Sequence, residues 1–319
     1  MRQSIAVAVL GLSLCAGPVF GQFGGFGGIG SKIKDKIDDS KQKAKPVTDR
    51  EQKAADTFTS WTPEEEQSIG SVGAAKMVAM FGLVNNDSLT RYVNLVGSSV
   101  AQFASRPLPY RFAVLDTEIV GAWALPGGYI FITRQAVASM KNEAELAGAL
   151  GHEIIHCSER HLEKEIRSKK TSAWAVEEAQ STGKTQDLAS LKADAMLKDL
   201  FSSNLSRDKE DQADEQGTLL ASHAGYVASG LTDFLRTLKT LASDSTNQRM
   251  FGQLLSTHPP FDSRISHLDT VVQRAGAGGQ TLEARFNASA PKTALTPPAP
   301  APAPATTPAP TPAPPAAAQ

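Results

Sequence analysis

With 319 residues, 41% of them hydrophobic and 20% charged, the chain is long enough to bury one sizeable core and a small second lobe. A formal net charge of -1 and an isoelectric point near 6.6 leave no basic excess for neutralising phosphates, so no nucleic-acid partner is expected. Polypeptide length, mixed composition and only two cysteines exclude a fibrous chain or a disulfide-stapled miniature fold.

The chain opens with Arg2 ahead of an apolar run from Ile5 to Ala16, and Val19-Phe20-Gly21 supplies small residues for cleavage, so residues 1–21 read as a signal peptide. Cys15 stands where a lipoprotein carries its acylated cysteine. Leu14 precedes it, however, where a small residue is required, so cleavage after Gly21 is preferred over lipidation. That leaves Cys157 alone, with no partner for an internal disulfide. Residues 22–55 form a Gly-rich and then Lys-rich leader in which Ile29, Ile33 and Ile37 recur every four residues. Either a thin amphipathic helix that touches a membrane surface or a solvated linker fits that pattern. Residues 56–274 are expected to form the folded domain and 275–319 a disordered tail, ending in a run of Pro, Ala and Thr.

Within the domain, Thr62-Pro63-Glu64-Glu65 is a helix-opening capping box, and the helix should run to about Met80. A second helix is expected over Ser88 to Phe103. The period then changes, and Tyr110 to Leu115 and Tyr129 to Thr133 read as short strands with a turn at Pro126-Gly127-Gly128. Asn142 with Glu145 opens a further helix predicted to continue beyond His161. Later helices are predicted over Leu188–Ser203, Asp208–His223 and Gly230–Ser243. The sum is an α+β fold, mostly helical, with a small sheet.

The chemistry concentrates in Gly151-His-Glu-Ile-Ile-His156. Two histidines four apart on a helix share a face and can reach one ion, while Glu153 lies about 100° round, near enough to activate a water but poorly placed as a ligand. Zinc held by two histidines takes a third ligand and leaves a position open for water. Downstream, Glu210 and Asp214 share a helix face, which assigns Glu210 to the metal and Asp214 to the free N–H of a ligand histidine. An acid-rich solvated face is the plainer alternative. Cys157 lies off the ligand face and reads as a buried core thiol, and His161 is read as too far round for the same ion.

These residues, with Glu66 to Gly70, Ala122 to Arg134, Glu143 to Ala147, Arg160-His161, Ser206-Arg207, Thr257-His-Pro-Pro260 and Arg264-Ile265, resemble in order and spacing the gluzincin metallopeptidases that include the CAAX prenyl endopeptidase and HtpX. The soluble periplasmic branch, with its outer-membrane quality-control proteases, is the nearest likeness. The resemblance runs from Trp61 to Leu268. It implies one zinc ion per chain on His152, His156 and Glu210, with Glu153 as proton carrier and His258 and Arg264 beside the metal, where they polarise the scissile carbonyl or plug the site. On the residues alone, His258 reads as a loop residue before two prolines and Arg264 as a surface charge. The resemblance also implies a substrate-binding edge strand at Gly121, Ala122, Trp123 and Ala124, although Gly121 replaces the family's usual Asn. The expected function is therefore a periplasmic, outer-membrane-associated endopeptidase acting on envelope polypeptides, in contact with outer-membrane assembly machinery and peripherally with the membrane. A metal-binding chaperone or assembly factor of the outer membrane with little turnover is the rival reading.

Overall fold

The computed structural model describes residues 61–168, 188–202 and 205–290, so the expected signal peptide, the leader and the Pro/Ala run from 291 lie outside the described residues. Helix α1 (Pro63–Phe81) begins where the sequence says it should: the Thr62 side chain accepts from the Glu65 N–H and the Glu65 carboxylate accepts from the Thr62 N–H. Helix α2 (Asp87–Ala101) follows, capped by Asn86. Three short strands come next, β1 (Arg111–Leu115), β2 (Ala122–Leu125) and β3 (Tyr129–Thr133), in the spatial order β1-β3-β2. Strand β3 pairs parallel to β1 and antiparallel to β2, which leaves β2 as an edge.

Both faces of this small sheet are covered, as the alternation along the strands requires. Phe112, Val114, Ala124, Ile130 and Ile132 enter the larger core with α2 and the central helix. Leu115, Trp123, Leu125 and Phe131 enter a second core with α1. After the short α3 (Arg134–Ala138), α4 (Glu143–Ser158) is capped by Asn142 and runs through the middle of the molecule with all 16 residues buried. A helix that is apolar nearly all round belongs in a core, and here the exceptions are the groups of chemical interest.

The predicted continuation of α4 past His161 is not observed. The helix stops at Ser158, Arg160 takes a left-handed φ of 54°, and α5 (His161–Ser168) sets off in a new direction. Glu66 fixes this corner. Its buried carboxylate accepts from Arg106 at 2.9 Å and from the Gly127 N–H at 3.1 Å, and pairs with Arg160 at 3.2 Å, tying the turn after β2 to the end of α4.

Helices α6 (Leu188–Ser202), α7 (Arg207–His223) and α8 (Gly230–Ala242) agree with expectation to within a residue or so. Two further helices, α9 (Gln248–Thr257) and α10 (Phe261–Ala275), for which the sequence pattern carried no expectation, flank His258 and Pro259-Pro260. The expected domain limit at residue 274 is also too early. The Glu143 and Ala144 N–H groups donate to the Thr281 carbonyl, α11 (Glu283–Ser289) buries Phe286, and Arg285 forms a bidentate pair with Glu143, which also accepts from Tyr92 and Tyr226. Residues 280–290 thus belong to the folded body rather than to a tail. Among the described residues no helix is long and apolar enough to cross a membrane.

Candidate metal centre

The two histidines of α4 stand one turn apart, and their Nε2 atoms approach to 2.9 Å. Helix α7 crosses α4 at glycines: a Cβ on Gly217 would sit 2.5 Å from the His152 nitrogen, and one on Gly151 would sit 2.5 Å from the Gly217 carbonyl oxygen. This close crossing carries Glu210 to the rings. Its Oε1 is 3.6 Å from His156 Nε2 and its Oε2 is 3.8 Å from His152 Nε2. One turn further along α7, Asp214 lies 2.9 Å from His152 Nδ1, and Arg264 of α10 donates to the same carboxylate at 2.6 and 2.9 Å. His258, the C-cap of α9, brings Nε2 to 3.8 Å from Glu210 Oε2, while its Nδ1 lies 3.0 Å from the Thr257 hydroxyl.

These donors fit a small divalent cation. Bonds of about 2.0–2.2 Å in a four-coordinate site place ligand atoms roughly 3.3–3.6 Å apart, and the separations above straddle that range. Glu210 Oε2 is buried and has no hydrogen-bond partner, a costly state for a carboxylate oxygen unless a cation satisfies it. His152, Glu210 and His258 also bring donor atoms within 4.8 Å of one another. His156 nevertheless has the stronger claim to be the second imidazole ligand, because one rigid helix sets its ring against that of His152, whereas His258 sits at a helix end. His258 then stands as a fourth donor.

The electrostatics agree. Burial lowers the pKa of His152, His156 and His258 and keeps the imidazoles neutral, the form that ligates metal. Burial also pushes Glu153 and Glu210 up to about 8, against the pull of Arg264. Asp214 behaves oppositely: burial would raise it, but Arg264 and His152 hold it well below the usual carboxylate range. The centre therefore contains one settled ion pair, Asp214 with Arg264, beside two carboxyls short of positive charge.

Glu153 borders the same cleft as Ala124 of β2, whose backbone N–H partly offsets the effect of burial on its carboxyl. Ala122, Trp123 and Ala124 all border the cleft, and the Trp123 indole also stacks on Phe81 at 5.9 Å and packs edge-on against Phe201. Gly121 pairs with Thr133 through its backbone, and a Cβ there would come within 2.9 Å of the Trp123 ring, which accounts for glycine at this position. Cys157 is buried, donates to the Leu125 carbonyl at 3.2 Å and has its thiol pushed up by burial, as a core cysteine should. Arg264, which resembles a surface charge in the sequence, is only 4% exposed.

His161 was missed by the sequence pattern as a partner of the site. Its Nδ1 lies 2.9 Å from His156 Nδ1 and its Nε2 lies 3.2 Å from Gln212 Oε1, so it orients the second imidazole much as Asp214 orients the first. An unbroken helix would have turned His161 away, and the left-handed Arg160 brings it back. The only local signal was the Arg-His pair at the helix end.

A His-Glu-x-x-His helix crossed by a second helix that brings a carboxylate to the two rings is the architecture of a gluzincin-type metallopeptidase. The model of peptidase family M48 matches residues 87–272, more than half of the chain, and the chain belongs to that family. It is 26% identical over 218 residues to the beta-barrel assembly-enhancing protease of Yersinia pestis, covering 64% of this chain and 43% of that one. It is 30% identical over 164 residues to the metalloprotease YcaL of Escherichia coli K12, covering 50% and 61%, and 26% identical over 172 residues to human mitochondrial metalloendopeptidase OMA1, covering 51% and 32%. The chain thus spans less than two thirds of the length of each of these relatives.

Proposed function

We propose that the chain is a zinc-dependent endopeptidase that binds one zinc ion on His152, His156 and Glu210 and hydrolyses peptide bonds of cell-envelope proteins. The observation that carries the reading is Glu210 Oε2, a buried carboxylate oxygen without a partner, lying 3.8 Å from His152 Nε2. Bound there, zinc would supply Lewis acidity to a substrate carbonyl and acidify a bound water.

The chain's own groups divide the remaining work. Glu153 is within one turn of both histidines and faces the cleft; burial favours its protonated form, which suits a carboxyl that takes a proton and returns it to the leaving amine. Asp214 accepts from His152 Nδ1 and so presents Nε2 to the cleft. Arg264 acts chiefly by holding Asp214 and is assigned a positioning role, refining the sequence expectation that it polarises the carbonyl. His258 is close enough to Glu210 either to donate to a developing oxyanion or to occupy the open position until substrate enters. The edge of β2 at Ala122 and Ala124, which no other described strand of the sheet covers and which borders the cleft, offers backbone groups to an extended peptide, which joins the sheet as a strand.

The assignment to envelope substrates in the periplasm rests on the signal-peptide pattern of residues 1–21 and on the name of the relatives that enhance β-barrel assembly. Contact with outer-membrane assembly machinery and peripheral contact with the membrane belong to the same proposal. The decisive experiment is metal analysis of the purified chain beside casein digestion with and without a chelator. About one zinc per chain and chelator-sensitive, zinc-restored cleavage are expected. Full cleavage after complete metal removal would end the metallopeptidase reading. Retention in the cytoplasmic fraction would end the periplasmic one.

A further inference from the structure

Two clefts flank Glu153 and His258, and their linings differ. One includes the carboxylates Glu165 and Asp199 among its walls. The other is walled by Ile132 and Ala149 and by Leu231, Phe234, Leu235 and Leu238 of α8. Those four α8 residues fall at i, i+3, i+4 and i+7, so a single apolar stripe of one helix faces both the core and this cleft. Its polar groups, His152, Glu153, His258 and Arg264, are those of the metal centre, and Arg264 is already neutralised by Asp214.

We propose that this second cleft is the specificity pocket, receiving one large apolar side chain, Leu, Phe or Met, from the substrate residue on one fixed side of the scissile bond. The inference rests on the peptidase reading above and deepens it. A peptide laid along β2 passes Ala122, which borders both clefts, so residues on the two sides of the reacting carbonyl meet different walls. Away from the metal centre, the wall of Ile132 and the α8 leucines and phenylalanine gives a lysine or glutamate side chain no hydrogen-bond partner, whereas an aliphatic or aromatic one leaves water for packed contact. Ala149 on α4, three residues before His152, is part of the lining, so a larger side chain there would take up space in the pocket.

The test uses quenched-fluorescent peptides identical except at one residue, which is Gly, Ala, Leu, Phe, Lys or Glu. Cleavage by the zinc-loaded protein is followed with the cut site located by mass spectrometry, and dissociation constants are measured on zinc-loaded Glu153→Gln. Leu and Phe at one fixed place relative to the cut should exceed Gly, Lys and Glu by about tenfold or more in both readouts. Ala149→Leu should remove that advantage, with zinc content and the circular-dichroism spectrum unchanged. If Ala149→Leu fails to fold, Leu235→Ala serves instead and should weaken the Leu peptide selectively. Indifference of the wild-type protein to the varied residue, or an unchanged preference in the pocket variant, would overturn the pocket while leaving the peptidase intact. Selective binding without any cleavage would overturn the peptidase and keep the pocket, and neither binding nor cleavage would overturn both.

Discussion

Glu145 and Glu153 lie on the same helix, and burial pushes both above the usual carboxylate range, Glu145 to about 7 and Glu153 to about 8. Their surroundings separate their roles. Glu153 faces the cleft, and Glu153→Gln should keep the metal at wild-type stoichiometry while cutting the turnover rate by about a hundred- to ten-thousand-fold. Metal analysis beside a peptide assay checks this, and proteolysis at the wild-type rate would remove Glu153 from the proposed proton transfer. Glu145 instead caps α4, accepting from the Lys141 N–H at 3.0 Å, and faces no ligand. Because the unfolded chain loses this proton near the ordinary value of 4.5 and the native state keeps it to about 7, its contribution is fully present below 4.5 and is lost as pH rises from 4.5 to 7. Glu145→Gln, which stays neutral and can still accept the capping bond, should therefore gain about 1–3 kcal/mol at pH 8 and almost nothing at pH 4, read by urea denaturation at the two pH values. An equal gain at both would show that charge is not the cause.

At the scale of elements, the crossing of α4 and α7 at Gly151 and Gly217 brings Glu210 and Asp214 to His152. Gly217→Ala must push backbone away from backbone, so it should destabilise the fold by about 1–3 kcal/mol and weaken zinc binding as well. Competition with a chromophoric chelator measures the second effect, and a wild-type zinc affinity would mean that the crossing does not set the ligand geometry. Much of this was legible beforehand. The capping box at Thr62 and the N-cap at Asn142 set helix starts, and the four-residue spacings in His152–His156 and Glu210–Asp214 put these groups on shared faces, because those signals are local. What escaped depends on distant partners. The break at Arg160 is held by Glu66, nearly a hundred residues earlier, and nothing in the neighbouring sequence announces it. Likewise the Gly-Ala-Gly-Gly stretch after Ala275 looks structureless. Gly279, at a φ of 85°, presses where a Cβ would meet the Tyr226 backbone at 2.3 Å, and this lets Gln280 pair beside Tyr226. Only the folded partner makes that glycine informative.

For the whole molecule, a metal held as proposed by α4 and α7 would join two elements from the middle and the later part of the chain, so that binding energy would become folding energy. Thermal melting should shift upward as free zinc is raised, with about 3 kcal/mol gained at a hundredfold excess over the dissociation constant, and Glu210→Ala should abolish most of the shift. A midpoint indifferent to zinc in the wild-type chain would separate the metal from the fold. The burial of α4 on every side has one more effect. With no solvent-facing flank, the helix cannot fray or rearrange while its surroundings stand, so ageing and heat should extinguish catalysis and structure in one step and leave no half-working form. Any softness the enzyme needs to admit its substrate must come from the walls: β2, α8 and the end of α9.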